Sequence, residues 1–140
     1  MSSFKAFEIA GSGMSAQSVR LNTTASNLAN AESVSGDPNR VYKARHPIFE
    51  AVRAQLAAGN EGGNAAVRVR GIYESQAPAA ARYEPGNPLA NAEGYVYAPA
   101  VNVVEEMVNM ISASRSYQNN VEVMSTSKDL LLATLRLGQG

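Results

Sequence analysis

Apolar side chains recur with a regular beat over the last forty residues. Val103, Met107, Met110, Ser114, Tyr117, Val121, Met124, Lys128, Leu131 and Leu135 follow at alternating intervals of four and three, and eight of these ten positions are apolar or aromatic. An average period of 3.5 marks the a and d positions of a coiled coil, a helix that lies along other helices. The pattern predicts one helix from Asn102 to Leu137, about 54 Å long at 1.5 Å per residue. Asn102 is suited to N-cap it, and Glu105 stands three residues on, as in a capping box. Arg136 falls in the last turn, and Gly138 suits the position just past it. Val104, Val108 and Ile111 form a second apolar strip beside the first, which suits contact with more than one helix.

A second stripe opens the chain: Phe4, Phe7, Gly11, Met14, Ser18, Leu21, Ala25 and Leu28. From Phe7 onward large and small residues alternate, so a partner helix can approach closely at every seventh residue. Gly11 and Gly13 each lower helix stability by about 1 kcal/mol against alanine, so this helix needs a partner to order it. It is expected to end near residues 27–30, before a turn at Gly36-Asp37-Pro38. Burying one seam does not offset the entropy of ordering a helix as long as the C-terminal one. Each terminal helix therefore requires the other, and further helices have faces left to occupy.

All six prolines, from Pro38 to Pro99, lie between these stripes. Proline breaks helices, so the chain divides into a terminal-helix domain, 1–31 with 101–140, and an extended, β-rich middle, 32–100. Strands are expected from Val67 through Tyr73 or Glu74, at Tyr95-Val96-Tyr97, and from Val41 to Phe49, the last weakened by Pro47. Residues 57–64 read as a flexible loop. The run from Tyr83 to Pro88 is a turn cluster in which Pro85-Gly86 suits a type II turn.

Composition narrows the chemistry. Formal net charge is zero, so no global field draws the chain to nucleic acid or an acidic membrane surface. The absence of cysteine removes thiolate chemistry, disulfides and sulfur-ligated metals. No stretch is long and apolar enough to span a bilayer, and the first seventeen residues lack the continuous apolar core of a cleavable secretory signal. Gly11-Ser-Gly13-Met-Ser-Ala16 matches a dinucleotide fingerprint but follows no strand, so it reads as small-residue helix packing. His46, the only histidine, has no catalytic or ligating partners arranged around it in sequence. Glu105 and Glu106 point about 100° apart on a helix and form no dyad. Arg68 and Arg70 share a strand face and read as solvated or as inter-subunit ion pairs, with a phosphate site as the alternative. Lys128 and Ser114 break the C-terminal stripe: Lys128 either snorkels past it or meets an acid on another chain. The expectation is an assembly protein with no catalytic, cofactor or metal site. Its expected interface residues are Phe7, Met14, Leu21, Leu28, Met107, Met110, Tyr117, Val121, Met124, Leu131 and Leu135. A soluble coiled-coil binding module or export adaptor is the alternative.

Particular segments carry a resemblance. Asn22-Thr-Thr-Ala-Ser-Asn-Leu-Ala-Asn30 resembles the asparagine-rich N-terminal motif of the bacterial flagellar rod and hook axial family. Val101 to Met110 and Ser112 to Asn120 resemble that family's C-terminal helix. Ile72 to Pro78, Tyr83 to Ala90 and Gly94-Tyr-Val96 resemble its proximal rod members. The resemblance covers nearly the whole chain. It implies a mainly α fold in which the two terminal helices pair as an antiparallel coiled coil, forming the inner tube domain, with a small irregular or β-hairpin middle. It also implies a structural role in a periplasm-spanning rod that transmits torque through the basal body. The implied neighbours are other proximal rod subunits, the adaptor joining the rod to the MS ring, the distal rod protein and the flagellar type III export apparatus. Export through that apparatus needs no cleavable signal peptide.

Overall fold

A computed structural model describes residues 3–53 and 65–138. Two long helices dominate it: α1, Ser3–Asn30, and α2, Val103–Leu137. Neither contains proline, so each ladder of backbone hydrogen bonds runs unbroken. Asn102 caps α2 as the sequence predicts, its Oδ1 accepting the backbone N–H of Val104 at 3.1 Å and of Glu105 at 3.2 Å. At the other end Gly138 donates its N–H to the Thr134 carbonyl, but it stays in the right-handed region with φ −80°. Its glycine character is not needed for that geometry.

The helices run antiparallel. Asn27 meets Glu106, a Cβ on Gly13 would fall against Asn120, and one on Gly11 would touch Met124. As the α1 number rises, the α2 number falls. Along α2 the buried residues are Glu106, Ala113 and Ser127. Half-buried Met110, Tyr117, Asn120, Met124 and Leu131 fill the intervals. The heptad period is the expected one, but its phase is shifted. Met110, Tyr117, Met124 and Leu131 belong to both stripes. Their companions in the buried stripe are Glu106, Ala113, Asn120 and Ser127, each one residue before the expected Met107, Ser114, Val121 and Lys128. Val103, Met107, Val121, Lys128 and Leu135 are exposed, and Ser114 is half-buried. Lys128 therefore needs no special device, because its ammonium already lies in solvent.

Between the helices stand two small antiparallel sheets. A short 3-10 turn, Pro38–Arg40, is capped by Asp37, whose carboxylate accepts the Asn39 N–H at 2.8 Å. It leads into β1, Arg45–Arg53, which pairs with β2, Ala65–Glu74. This strand begins four residues later than expected and runs through Pro47. The Ser75 N–H donates to the Ala44 carbonyl at 2.8 Å, so by alternation along the ladder the Pro47 nitrogen points away from β2 and its missing N–H removes no shared bond. Opposite Ile48 and Phe49 the register slips, and Arg70 is the extra residue. The expected loop at 57–64 lies outside the described residues. The second sheet pairs β3, Ala80–Tyr83, with β4, Tyr95–Ala98. Across it the Tyr83 and Tyr95 rings meet edge to face with centroids 5.3 Å apart. Ser35 bridges to Tyr97 through bonds of 3.0 and 2.8 Å, which ties the end of α1 to β4.

The turn at Pro85-Gly86 closes with Asn87 N–H donating to the Glu84 carbonyl at 3.0 Å. It is not type II, which needs a positive φ at Gly86. Among the described residues the positive φ belongs to Gly94, at 82°. That residue turns the chain into β4, where a Cβ would sit 3.0 Å from the Tyr83 ring.

The core of a single copy is thin. Among the described residues, the largest fully buried side chains are Val96 and Asn27. The remaining buried apolar residues, such as Ala10, Ala16, Ala31, Val41, Ala44, Ala98 and Ala113, are small.

Candidate assembly surfaces

Asn27 organises the junction of three segments. Its Nδ2 donates to Glu106 Oε2 at 3.0 Å and to the Arg45 carbonyl at 2.9 Å. Its Oδ1 accepts the Arg45 N–H and the Tyr42 hydroxyl, both at 2.8 Å. An amide side chain offers two donor hydrogens and two acceptor lone pairs, and all four are used. Asn27 is 0% exposed and Glu106 4%, where an unmet polar group is costly. The asparagine thus joins α1 to the first turn of α2 and to the chain entering β1. Around it the Arg45 guanidinium lies 5.8 Å from the centre of the Tyr42 ring and pairs with Glu74 at 3.1 Å.

Other polar groups extend this inner face. Arg20 donates to Asn109 Oδ1 at 3.1 Å. Ser12 Oγ donates to the Ile9 carbonyl at 2.7 Å and accepts the Val67 N–H at 3.1 Å, which docks β2 on α1. Gly11 and Gly13, from the dinucleotide-like match, lie inside α1 against α2. At Gly13 an added Cβ would stand 2.7 Å from Asn120 Oδ1, so this is where the helices approach closely. Arg68 faces Glu50 across β1 and β2 and pairs with it at 2.8 Å, an exposed pair within one chain. Arg70 and His46 are exposed.

The outer surface is where the large apolar residues lie. Val104 is 70% exposed, Val108 61% and Ile111 54%, all on the part of α2 turned away from the buried stripe. Leu130, Leu132, Leu135 and Leu137 are exposed toward its C-terminal end, and Ile48, Phe49, Ile72 and Tyr73 on the first sheet. The expected interface residues divide between the two surfaces. Met14, Leu21, Leu28, Met110, Tyr117, Met124 and Leu131 are half-buried, while Phe7, Met107, Val121 and Leu135 are exposed. The cleft between the 3-10 turn, Ser75 and Pro99 holds about 30 Å³, room for little more than one water. No described helix is long and apolar enough to cross a membrane.

Sequence reasoning missed the Asn27–Glu106 pair. In sequence Asn27 is one member of an asparagine-rich motif, and Glu106 stands beside the capping Glu105. The heptad frame that Glu106 shares with Ala113, Asn120 and Ser127 along α2 was the available signal. A stripe chosen by hydrophobicity passes over a frame whose members are Glu, Ala, Asn and Ser.

This architecture, two long helices with a thin core and an apolar exterior, defines a subunit of a larger assembly, and comparison with known proteins agrees. Residues 7–36 match the family described as flagella basal body rod protein, and residues 92–137 match the C-terminal family of the flagellar basal body rod FlgEFG proteins. The flagellar basal-body rod protein FlgC of Escherichia coli O6:H1 is 56% identical over 95% of this chain and 96% of its own. That of Salmonella typhimurium is 54% identical over the same shares. The FlgC of Bacillus subtilis is 34% identical over 99% of this chain and all of its own. The chain belongs to the FlgC family of flagellar basal-body rod proteins. It is a structural rod subunit of the flagellum, serving motility and not catalysis.

Proposed function

We propose that this subunit builds the proximal part of the rod by packing α1 and α2 as an antiparallel coiled coil into an inner tube. Residues 1–31 and 101–140 form that tube domain, and residues 32–100 bridge subunits outside it to stiffen the drive shaft that transmits torque. One observation carries the reading: the large apolar side chains of α2, led by Val104, Val108 and Ile111, lie outside the helix pair. A soluble protein rarely leaves so long an apolar strip uncovered unless another chain covers it. Neighbouring copies and the other proximal rod subunits are its natural occupants. The adaptor at the MS ring stands below and the distal rod protein above. The interface draws on Phe7, Met14, Leu21, Leu28, Met107, Met110, Tyr117, Val121, Met124, Leu131 and Leu135, now joined by Val104, Val108 and Ile111. The subunit reaches the periplasm unfolded through the flagellar type III export apparatus, without a cleaved signal peptide. Its thin core and paired glycines in α1 are compatible with threading through a narrow channel.

The test is Val121→Asp. The side chain is exposed in one copy, so the change alters folding of the isolated chain by no more than about 0.5 kcal/mol. It is expected to stop swimming and rod assembly while leaving synthesis intact. Normal swimming would refute the proposed interface.

A further inference from the structure

We propose that the buried Asn27–Glu106 pair is a register lock: Glu106 and Asn27 are positioning residues that select one axial alignment of α2 on α1. The apolar pattern does not select it. Met14, Leu21 and Leu28 recur every seven residues on α1, and Met110, Tyr117, Met124 and Leu131 every seven on α2. A slide of one heptad moves each large residue into the place of the next, displacing α2 by about 10 Å. The close approach at Gly13 does not forbid it either. The close approach opposite Gly13 is occupied by Asn120, and a heptad slide brings the smaller Ala113 or Ser127 to that place. The polar groups are what differ between alignments. In the observed one, the Asn27 amide meets Glu106 and completes its four hydrogen bonds. Sliding in one direction sets Asn27 against Ala113, which offers no side-chain acceptor. Sliding in the other carries Asn27 beyond the start of α2. A single buried polar residue fixes alignment in paired helices for this reason: wrong alignments strand it away from water. The same slide would carry the outward strip of Val104, Val108 and Ile111 about 10 Å along the subunit, so one alignment is needed for copies to present identical surfaces.

The absence of native cysteine allows a direct test in the purified full-length chain. Gly13→Cys with Asn120→Cys reports the observed alignment, because their positions stand within disulfide reach. Gly13→Cys with Ser127→Cys reports the slipped one. Each pair is oxidised in three backgrounds: otherwise unchanged, Glu106→Leu and Glu106→Gln. Leucine removes the acceptor, whereas glutamine keeps an acceptor oxygen for Asn27 and serves as the rescue. In the unchanged background the first pair is expected to cross-link and the second not. In Glu106→Leu the ratio of first to second is expected to fall by about tenfold to a hundredfold, the factor carried by one hydrogen bond to a charged group, with helicity by circular dichroism retained. Glu106→Gln should restore most of the preference. Similar cross-linking of both pairs in the unchanged background, or of neither, would overturn the lock. Unaltered preference in Glu106→Leu would overturn it too, and would leave alignment to the Arg20–Asn109 bond or the Ser35–Tyr97 tether. Loss of both cross-links together with helicity in Glu106→Leu would show that the pair holds the helices together without choosing their alignment.

Discussion

Replacing Asn27 with alanine removes one small side chain and leaves a buried carboxylate and two part-buried backbone groups unmet. The Glu106 carboxylate loses the amide at 3.0 Å, and the Arg45 N–H and C=O lose partners at 2.8 and 2.9 Å. Tyr42 keeps Ser26 within 3.1 Å and is largely spared. Each stranded buried group costs about 1–3 kcal/mol, less whatever water entering the gap recovers. A total of about 3–5 kcal/mol is expected, the range found on breaking a buried polar pair from one side. Domains of this kind are stable by only about 5–15 kcal/mol, so the variant loses a large share. At roughly 4 °C per kcal/mol for a chain of this size, the thermal midpoint falls by about 12–20 °C. The assay is urea or thermal unfolding of the purified chain followed by far-ultraviolet circular dichroism. Asn27→Asp should be at least as damaging, since it sets a second carboxylate beside Glu106. A loss below about 1 kcal/mol for Asn27→Ala would refute the reasoning, because the hub would then contribute no more than one exposed hydrogen bond.

Two further substitutions probe the middle segment by the same unfolding assay. Gly94→Ala forces a left-handed residue with φ 82° to carry a Cβ 3.0 Å from the Tyr83 ring, and it should cost about 1–3 kcal/mol. Glu50→Gln breaks the exposed pair with Arg68 at 2.8 Å and should cost about 0.2–1 kcal/mol; a larger loss would mean that the pair is shielded from solvent.

The period of α2 was legible because it depends only on spacing, and the helix ends were legible because Asn102 and the flanking prolines act locally; on α1 the expected stripe is only partly met, since its Phe4, Phe7, Ser18 and Ala25 are exposed. The phase of α2 was not legible. α2 carries more than one apolar face, and a search for hydrophobicity follows the more apolar one, from Val103 through Met107 to Val121. That face turns outward, while the face against α1 alternates large apolar residues with Glu106, Ala113, Asn120 and Ser127. A helix that serves several partners does not reserve its most apolar stripe for the partner in its own chain. β3 was missed for another reason. Ala80-Ala81-Arg82-Tyr83 has little alternation of its own and becomes a strand by pairing with β4. The type II turn expected at Pro85-Gly86 puts a positive φ at Gly86, whereas the positive φ falls at Gly94, and only the folded backbone shows which turn needs it. The Asn27–Glu106 bond joins residues 79 apart, a separation that no local pattern encodes.

The same outward face offers the most direct test of the account as a whole. Cryo-electron microscopy of an intact basal body would place Val104, Val108 and Ile111 relative to their neighbours. All three, exposed in one copy, are expected to be buried against helices of adjacent rod subunits while the Asn27–Glu106 contact stays within one chain. Finding them in open solvent, with subunits joined only through residues 32–100, would contradict it.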